Sequence, residues 1–366
     1  MSGERSTPKK TALYHKHKAA GAKIVDFAGF AMPVHYSGII EEHECVRTTV
    51  GVFDVSHMGE FLVTGSDAEM FLNYVTVNDV AAMDAGQAQY TAMCLEDGGI
   101  VDDLLIYKYE DRYLAVVNAA NIQKDWDHLQ KYRMAEAELQ DVSDDTTLLA
   151  IQGPASREVL QKLTSEDLSV IKFYHFIEGE VAGVPSTIAR TGYTGELGFE
   201  LYVENQDAEE LWDALFDAGS KQDIQPVGLG ARDTLRLEMG FCLYGNDIDE
   251  TTNPIEAGLG WITKLNKGDF LGRDAVARVK EAGPERKRVG FELLGRGIPR
   301  KGYSITFSGR EIGEVTSGSQ SPMLEKGIGM GYVETEFSKA GTTFNIMIRN
   351  KGIPAKVVKL PFYQHE

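Results

Sequence analysis

Cysteines are scarce in this sequence, and they do not cluster. Among 366 residues there are three, Cys45, Cys94 and Cys242, which lie far apart and outside any CxxC motif. Disulfide frameworks and zinc sites need cysteines or histidines at short, regular spacings. The sequence therefore argues against both kinds of site, predicts no bound metal, and indicates three buried free thiols.

Long apolar stretches and basic runs are also missing. No apolar stretch approaches the roughly 20 residues that a membrane-spanning helix requires, and residues 1–10 lack the apolar core of a signal peptide. The formal net charge is −18, with no run of lysine and arginine long enough to reverse it locally. Because an acidic surface repels phosphate backbones, nucleic acid is disfavoured as a partner. These absences predict a cytoplasmic protein without membrane contact and with a flexible tail over residues 1–10.

What is present is an ordinary globular composition with abundant glycine. Hydrophobic residues make up 43% of the chain and charged residues 25%, so sizeable packed cores are available. There are 38 glycines, many of them beside other turn formers, which indicates many strand connections. A chain of this length typically folds as two or three domains.

The longer, N-terminal part of the chain mixes strand and helix patterns. Residues 89–118 predict a β-meander that turns first at residues 96–99, a Glu-Asp-Gly-Gly sequence. A second hairpin joins strands at 186–190 and 199–203. Helices are predicted over residues 121–135, 207–218 and 230–240.

The C-terminal part of the chain has a strand pattern only. Between residues 264 and 288 the composition becomes charged and includes Gly283-Pro284, so we predict a domain boundary there. Beyond it, short apolar runs recur with turn residues between them. The predicted strands are 289–294, 303–307, 311–315, 328–333, 343–348 and 355–360. This spacing is typical of a small all-β barrel or sandwich.

Two adjacent acids interrupt an otherwise apolar strand of the meander. Neighbouring side chains of a strand point to opposite faces, so Asp103 shares a face with Leu105 and Tyr107, and Asp102 lies on the other apolar face. At least one carboxylate then enters an apolar environment, where an unpaired charge is costly. Such an acid finds partners, shifts its pKa or serves chemistry. The alternative, two solvated acids at the start of a strand, stays open.

A glycine-rich connection joins the two strands of the second hairpin. Its glycines at 192, 195 and 198 allow the backbone to approach a ligand closely, and Tyr193 is placed to stack on a flat ring. Glu200 follows between Phe199 and Leu201. By itself this alternation indicates a solvent-facing acid on an amphipathic strand.

Two arginines lie four residues apart on the last predicted helix of this region. Arg232 and Arg236 then share a helix face and are able to clamp an anion. The alternative is a pair of surface salt bridges with Asp233 and Glu238.

Other candidate groupings are weaker. Asp54, Ser56 and His57 are near neighbours in sequence, whereas the members of a catalytic triad meet in space, and there is no GxSxG motif. His15 and His17 have no metal-ligand partners nearby in sequence.

Taken together, these motifs resemble the glycine cleavage T-protein family. Further matching segments are Val-Asp-Phe-Ala-Gly at 25–29, Phe-Asp-Val-Ser-His-Met at 53–58 and Leu-Tyr-Gly-Asn-Asp at 243–247. The likeness runs from about residue 11 to residue 363, in the family's order and spacing. It implies an α+β fold, a three-domain cloverleaf of the aminomethyltransferase type with a C-terminal β-barrel domain. We expect two interleaved α+β domains that bind folate over residues 11–275 and the barrel over residues 286–363.

The resemblance also implies an activity. Members of the family take the aminomethyl group held on the lipoyl arm of the H-protein and transfer its methylene carbon to tetrahydrofolate. The products are 5,10-methylenetetrahydrofolate, ammonia and the dihydrolipoyl H-protein. The expected partners are therefore the lipoylated H-protein and tetrahydrofolate, which serves as the acceptor substrate.

Site residues follow from the resemblance position by position. The family's essential aspartate matches Asp103, its pterin-binding glutamate matches Glu200, and a substrate-binding arginine matches Arg232. Four further positions around the folate match Tyr193, Asn118, Tyr90 and Met58. One departure is Leu197, where many relatives carry an aspartate that is not the pterin-binding acid.

Two alternative functions remain on the sequence alone. One is another folate-dependent demethylase of the same superfamily, with a similar cleft. The other is a non-catalytic, folate-binding factor for iron–sulfur cluster assembly. Those factors carry a Lys-Gly-Cys-Tyr signature, and the corresponding Lys-Gly-Asp-Phe at 267–270 lacks its cysteine.

Overall fold

The structure, a computed structural model, describes residues 7–364. Most of the predicted tail, residues 1–6, lies outside the described residues. Lys9, within the predicted tail, forms two backbone hydrogen bonds with a later segment of the same chain. Its N–H donates to the carbonyl of Gly29 (2.8 Å), and its carbonyl accepts from the N–H of Ala31 (2.7 Å).

The described chain divides into two compact units, each assembled from separate segments. Unit 1 contains the described residues up to Ala68, Met83–Gln89 and Leu105–Asp233. Unit 2 contains Glu69–Ala82, Tyr90–Leu104 and the described residues from Thr234 onward.

Helices and strands both contribute to the fold. The α-helices of the described residues are α1 Tyr14–Ala19, α2 Ile39–Thr48, α3 Ala68–Val75, α4 Ile122–Tyr132, α5 Ser156–Gln161, α6 Ala208–Gly219, α7 Leu229–Glu238 and α8 Arg273–Ala282. The strands that precede α8 are β1 Lys23–Phe27, β2 Phe30–His35, β3 Gly51–Asp54, β4 Gly59–Thr64, β5 Gln87–Cys94, β6 Ile100–Lys108, β7 Tyr113–Val117, β8 Glu138–Asp141, β9 Thr146–Gln152, β10 Phe176–Val181, β11 Val184–Ala189, β12 Gly198–Glu204 and β13 Gln225–Pro226. Those that follow it are β14 Arg286–Leu293, β15 Ser304–Phe307, β16 Arg310–Gln320, β17 Gly327–Glu334, β18 Thr343–Ile348 and β19 Lys351–Val358.

Unit 1 contains a six-stranded sheet with the order β10–β11–β12–β9–β3–β13. One face of its central strands carries Phe199, Leu201 and Ile151, which pack in one apolar core with Trp212 and Leu215 of α6. Since side chains alternate along a strand, the neighbours of Phe199 and Leu201 on β12 point to the other face. Those neighbours are Glu200 and Tyr202, and both are buried.

A second sheet has the order β5–β6–β7–β4–β8. Its β5–β6 hairpin is the first turn of the predicted meander, and it closes at Gly98 with a φ of +89°. The amide of Gly98 donates to Leu95 (2.9 Å), and the amide of Leu95 donates to Gly99 (2.8 Å). The outer part of this hairpin belongs to unit 2 and its base to unit 1.

The C-terminal strands close into a barrel with the order β14–β17–β16–β15–β18–β19. Closure comes from β14, which pairs with both β17 and β19. Its interior is filled by alternate residues of the strands, among them Phe291, Ile305 and Ile346. The predicted barrel or sandwich is therefore a barrel, and the predicted α+β fold class with a C-terminal barrel is confirmed.

Helices α1, α2, α3 and α8 were not predicted from the sequence, and α8 occupies a segment for which a different interpretation was made. Helix α8 lies in the charged stretch that we assigned to a boundary, between Gly272 (φ +82°) and Gly283 (φ +80°). Only Ala275 and Val276 are buried on it, so its apolar stripe is too narrow to stand out from its charged neighbours. No helix of the described residues has the length and apolar character needed to cross a membrane.

Candidate functional site

The structure buries Glu200 in a hydrogen-bonded group of hydroxyls in unit 1. The acid is 5% exposed, and its Oε2 accepts from Thr191 Oγ1 (2.5 Å) and from Tyr107 Oη (3.5 Å). Tyr202 Oη donates to Tyr107 Oη at 2.9 Å. No hydrogen bond from a described residue reaches Oε1. The alternative of a solvent-facing acid is therefore wrong, and one oxygen of a buried carboxylate is left to accept a donor.

Burial and neighbouring groups oppose each other at Glu200. Burial raises the pKa of its carboxyl, whereas the hydrogen bond from Thr191 and the charge of Arg232 lower it, leaving a raised value. A ligand that donates hydrogen bonds to this carboxyl would favour the charged form and reverse the shift.

Arg232 and Tyr193 face each other beside this group. The guanidinium carbon of Arg232 lies 4.8 Å from the centroid of the Tyr193 ring, a cation–π contact. Burial lowers the pKa of Arg232, and the charge of Glu200 opposes that effect. His57 is 3% exposed, and burial together with the charge of Arg232 lowers its pKa to about 4. Its ring is therefore neutral near pH 7.

Two glycines of the glycine-rich connection, Gly192 and Gly198, are required by packing. A Cβ on Gly192 or Gly198 would lie 2.1 or 2.3 Å from side-chain atoms of Gln152. Gln152 in turn accepts from Thr194 Oγ1 (2.8 Å) and donates to the carbonyl of Thr191 (3.2 Å). These two glycines therefore make room for a buried amide that fixes the loop, which is a different role from the close ligand approach that the sequence suggested.

Met58 and Asn118 lie at one end of the β4–β7 pair. Gly59 pairs with Val117, and these residues directly follow Met58 and precede Asn118 in the chain. Both side chains are half-buried. The structure thus brings these two predicted positions together within unit 1.

Tyr90 and Asp103 form a separate pair in unit 2. Tyr90 Oη donates to Asp103 Oδ2 at 2.9 Å, and both residues are half-buried. Asp102 is fully buried, so the alternative of two solvated acids is wrong. The Tyr90 ring stacks on Trp261, with centroids 6.1 Å apart and planes at 28°. The predicted essential aspartate is thus oriented by a hydroxyl whose own ring is fixed by stacking.

Arg236 does not form the predicted surface salt bridge. It is 1% exposed, and its guanidinium donates to Asp247 (2.7 Å), Ser317 (2.9 Å) and the carbonyl of Phe241 (3.0 Å), all within unit 2. Those partners engage the guanidinium in a structural network. The structure therefore gives no support to an anion clamp formed by Arg236.

Asp54, the aspartate near Ser56 and His57 in sequence, is held by several hydrogen bonds. Asp54 accepts from Ser56 Oγ (2.6 Å) and Thr11 Oγ1 (2.7 Å), and it lies 2.7 Å from His17 Nε2. Burial works to raise the pKa of Asp54, but His17 and Ser56 outweigh it and leave the pKa below its usual range. His17 is fully buried and pairs with Asp54. Within the described residues, no group of three or more histidines, cysteines or acids is arranged to hold a metal ion.

Sequence reasoning missed three members of the Glu200 group. Tyr107 carried a signal, because it lies on the strand face predicted to include Asp103. No sequence pattern indicated Thr191 or Tyr202, because each contacts Tyr107 across a long separation in sequence.

Comparison with known proteins identifies the family. The profile described as "GCVT N-terminal domain" matches residues 13–267, and the profile "Glycine cleavage T-protein C-terminal barrel domain" matches residues 286–364. The chain belongs to the glycine cleavage T-protein family.

Individual relatives agree over nearly the full length. An aminomethyltransferase of Halothermothrix orenii is 53% identical over 97% of this chain and 99% of that relative. One of Bacteroides fragilis is 55% identical over the same shares. The crystal structure of the glycine cleavage system aminomethyltransferase T of Bartonella henselae is 37% identical, covers 97% of this chain and 98% of its own, and superposes with a TM-score of 0.91. The predicted family, fold class and enzyme class, an aminomethyltransferase, are confirmed.

Proposed function

We propose that this protein transfers the methylene carbon of an aminomethyl group on the lipoyl arm of H-protein to tetrahydrofolate. The products are 5,10-methylenetetrahydrofolate, ammonia and dihydrolipoyl H-protein. Family membership over nearly the whole chain supports the reaction class. The observation that carries the folate assignment is the buried carboxylate of Glu200, which keeps one oxygen able to accept.

Glu200 binds the pterin in this proposal. A pterin edge offers two adjacent N–H donors, and a carboxylate accepts both in a fork. Thr191 orients this buried carboxylate through Oε2, so Oε1 accepts one pterin N–H and Oε2 accepts the other in place of its long contact with Tyr107. We assign Arg232, Tyr193, Met58, Asn118 and Tyr90 to the remaining folate contacts.

Asp103 is the catalytic residue in this proposal. Attack of a folate nitrogen on the electrophilic methylene develops positive charge on that nitrogen. A carboxylate in contact with the amine stabilises the charge and orients the amine. The hydrogen bond from Tyr90 supports this role, since it fixes one carboxylate oxygen while the residue remains half-buried.

The test is an assay of methylene transfer with aminomethylated, lipoylated H-protein as the donor. We expect formation of 5,10-methylenetetrahydrofolate that requires both tetrahydrofolate and the lipoyl group. Turnover of a free methylated amine, with none of the H-protein adduct, would instead indicate a demethylase. The similarity to aminomethyltransferases over nearly the whole chain does not favour that alternative. A cytoplasmic location is likewise a proposal.

A further inference from the structure

Glu60 is a buried acid that the reaction proposed above does not use. It lies on β4, is 0% exposed, and neither of its carboxyl oxygens has a hydrogen-bond partner among the described residues. A buried acid without partners is costly, and it is far more costly when charged than when protonated. An apolar side chain would avoid that cost, so the presence of an acid here calls for a functional reason.

The strand register places Glu60 on the face that carries Tyr107. Glu60 pairs with Val116 of β7, and Val116 pairs with Leu105 of β6. Directly paired residues of antiparallel strands share a face, and so do residues two apart on one strand. Leu105 and Tyr107 are two apart, so Glu60, Leu105 and Tyr107 lie on one face of the sheet. Tyr107 is the hydroxyl that joins Tyr202 to Glu200.

The same strand connects Glu60 to two proposed folate positions. Met58 lies two residues before Glu60, and Asn118 lies two residues after Val116. The Glu60–Val116 pair therefore directly follows the Gly59–Val117 pair, next to which Met58 and Asn118 lie. Glu60 and the residues of the Glu200 group all belong to unit 1.

Among the described residues, no positive charge acts on Glu60. The charge of Asp141 on β8 acts on Glu60, and Glu60 acts on Tyr202 of β12, two residues from Glu200. Strand β6 contributes Tyr107, while Val116 and Leu114 of β7 are apolar. The cation of this region, Arg232, acts on Glu200 and on His57. Burial and the charge of Asp141 raise the pKa of Glu60, and Glu60 in turn contributes to the raised pKa of Tyr202.

We propose that Glu60 is a proton-carrying positioning residue of the folate site, and that its loss of a proton weakens folate binding at Glu200. The inference rests on the proposed pterin contact of Glu200. While Glu60 is uncharged, the Tyr202 hydroxyl donates to Tyr107, Tyr107 supports Oε2 of Glu200, and the negative charge of this group stays on Glu200. An ionised Glu60 places a second negative charge in the same buried region and therefore disfavours the charge on Glu200. Binding of pterin N–H donors to Glu200 therefore requires Glu60 to keep, or regain, one proton from solvent.

The test compares the pH dependence of folate affinity in the unaltered protein and in E60Q. Calorimetric titration with 5-formyltetrahydrofolate between about pH 6 and pH 9 measures Kd. For a single linked proton we expect Kd of the unaltered protein to rise by up to roughly tenfold per pH unit above the pH at which Glu60 ionises. The glutamine variant, neutral and of the same shape, should keep Kd within about twofold of the unaltered value at pH 6, and its Kd should not rise with pH.

A matched control is D141N, which removes the exposed acid that acts on Glu60 from β8. It should keep the pH dependence of the unaltered protein, with Glu60 ionising at a slightly lower pH. An E60Q variant with the same slope as the unaltered protein would overturn the proposal. So would a folded E60Q variant with a strongly weakened affinity at pH 6, because Glu60 would then act through its charge.

An infrared measurement on the ligand-free protein separates this inference from the proposed function. The carbonyl stretch of protonated carboxylic acids should be weaker near pH 7 in E60Q than in the unaltered protein, while any contribution of Glu200, whose pKa is also raised, is common to both. Equal absorbance in the two proteins would contradict the protonated state of Glu60. Absence of folate binding by the unaltered protein at pH 6 would contradict the proposed function, whereas normal binding with an unchanged slope in E60Q contradicts only the role of Glu60.

Discussion

At the scale of single residues, three acids of unit 1 are equally buried and differ in their partners. Asp54 is surrounded by His17, two hydroxyls and a backbone amide, and its pKa is lowered. Glu200 has hydroxyls on one oxygen, and its pKa is raised. Glu60 has no hydrogen-bond partner among the described residues, and its pKa is raised furthest. The pKa is thus lowered where donors surround the buried carboxyl and raised where it has few donors or none.

The first prediction concerns Asp103, the proposed catalytic acid. Asp103→Asn keeps the shape of the side chain and a contact with Tyr90 but removes the charge that stabilises the developing cation. We expect kcat to fall by about 10²–10³-fold, with folate Kd and the thermal midpoint unchanged. Steady-state kinetics, calorimetry and thermal unfolding measure the three quantities. Turnover by the variant close to that of the unaltered protein would remove Asp103 from the reaction.

The second prediction concerns the pterin contact. Glu200→Gln replaces one acceptor of the fork by a donor, so one pterin N–H meets a like group. We expect Kd for folate to rise by about 10–100-fold, in line with the roughly 1.5–3 kcal/mol of a hydrogen bond to a charged group. Glu204→Gln is the matched control, because Glu204 is exposed at the end of the same strand. Equal affinities of the two variants would place the pterin elsewhere.

At the scale of elements, local patterns predicted strands and helices but not what covers them. The alternation along β12 correctly placed Phe199 and Leu201 on one face and Glu200 on the other. The second face is also buried, because Tyr202 and Glu200 meet Tyr107 from a different sheet. That contact spans more than ninety residues of sequence, so no local pattern encodes it. The amphipathic alternation therefore indicated a solvated acid at a position that is buried.

The third prediction tests how the 190–197 connection is held. Gly198 is not in a left-handed conformation, so its φ allows alanine, but a Cβ there would lie 2.3–2.5 Å from three atoms of Gln152. We expect Gly198→Ala to destabilise the protein by about 1–3 kcal/mol through this overpacking. Gly260→Ala is the control, since its nearest neighbour would be 3.8 Å away. Urea unfolding should show the loss in G198A alone, and a double variant with Gln152→Ala should be less damaged than the sum of the single changes. Additive losses would contradict the contact as the cause.

At the scale of the whole chain, the sequence predicted the barrel better than it predicted which segments share a core. The barrel strands are contiguous, with turn residues between them, so their pattern is local. Unit 2 also contains residues 69–82 and 90–104, and Val77 and Ile100 share a core cluster with Ile262 and Tyr332. Because that packing joins segments more than 150 residues apart, only a fold-level resemblance anticipated interleaved domains. The predicted limits 11–275 and 286–363 stay predictions.

The fourth prediction concerns the stability of the fold as a function of pH. A carboxyl whose pKa is raised on folding stays protonated in the native state after it has ionised in the unfolded chain, where its ordinary value is 4.5. The contribution of Glu60 is thus fully present below about pH 4.5 and is lost as pH rises toward the folded pKa, by up to about 1.4 kcal/mol per pH unit. Glu60→Gln removes this loss without changing the shape of the side chain.

The free energy of unfolding of E60Q, relative to the unaltered protein, should therefore increase as pH rises above about 4.5 and level off once Glu60 ionises in the folded protein. Urea titrations of both proteins at each pH measure the difference, in which the other titrating groups cancel because both chains share them. D141N serves again as the control: it removes an exposed acid that contributes to the raised pKa of Glu60 but leaves the buried carboxyl in place, so its trend should have the same sign and be much smaller. A constant difference between E60Q and the unaltered protein over this range would mean that Glu60 ionises in the folded protein as it does in the unfolded chain. Burial among apolar strands would then be insufficient to keep its proton, and an unrecognised donor would have to stabilise the charge.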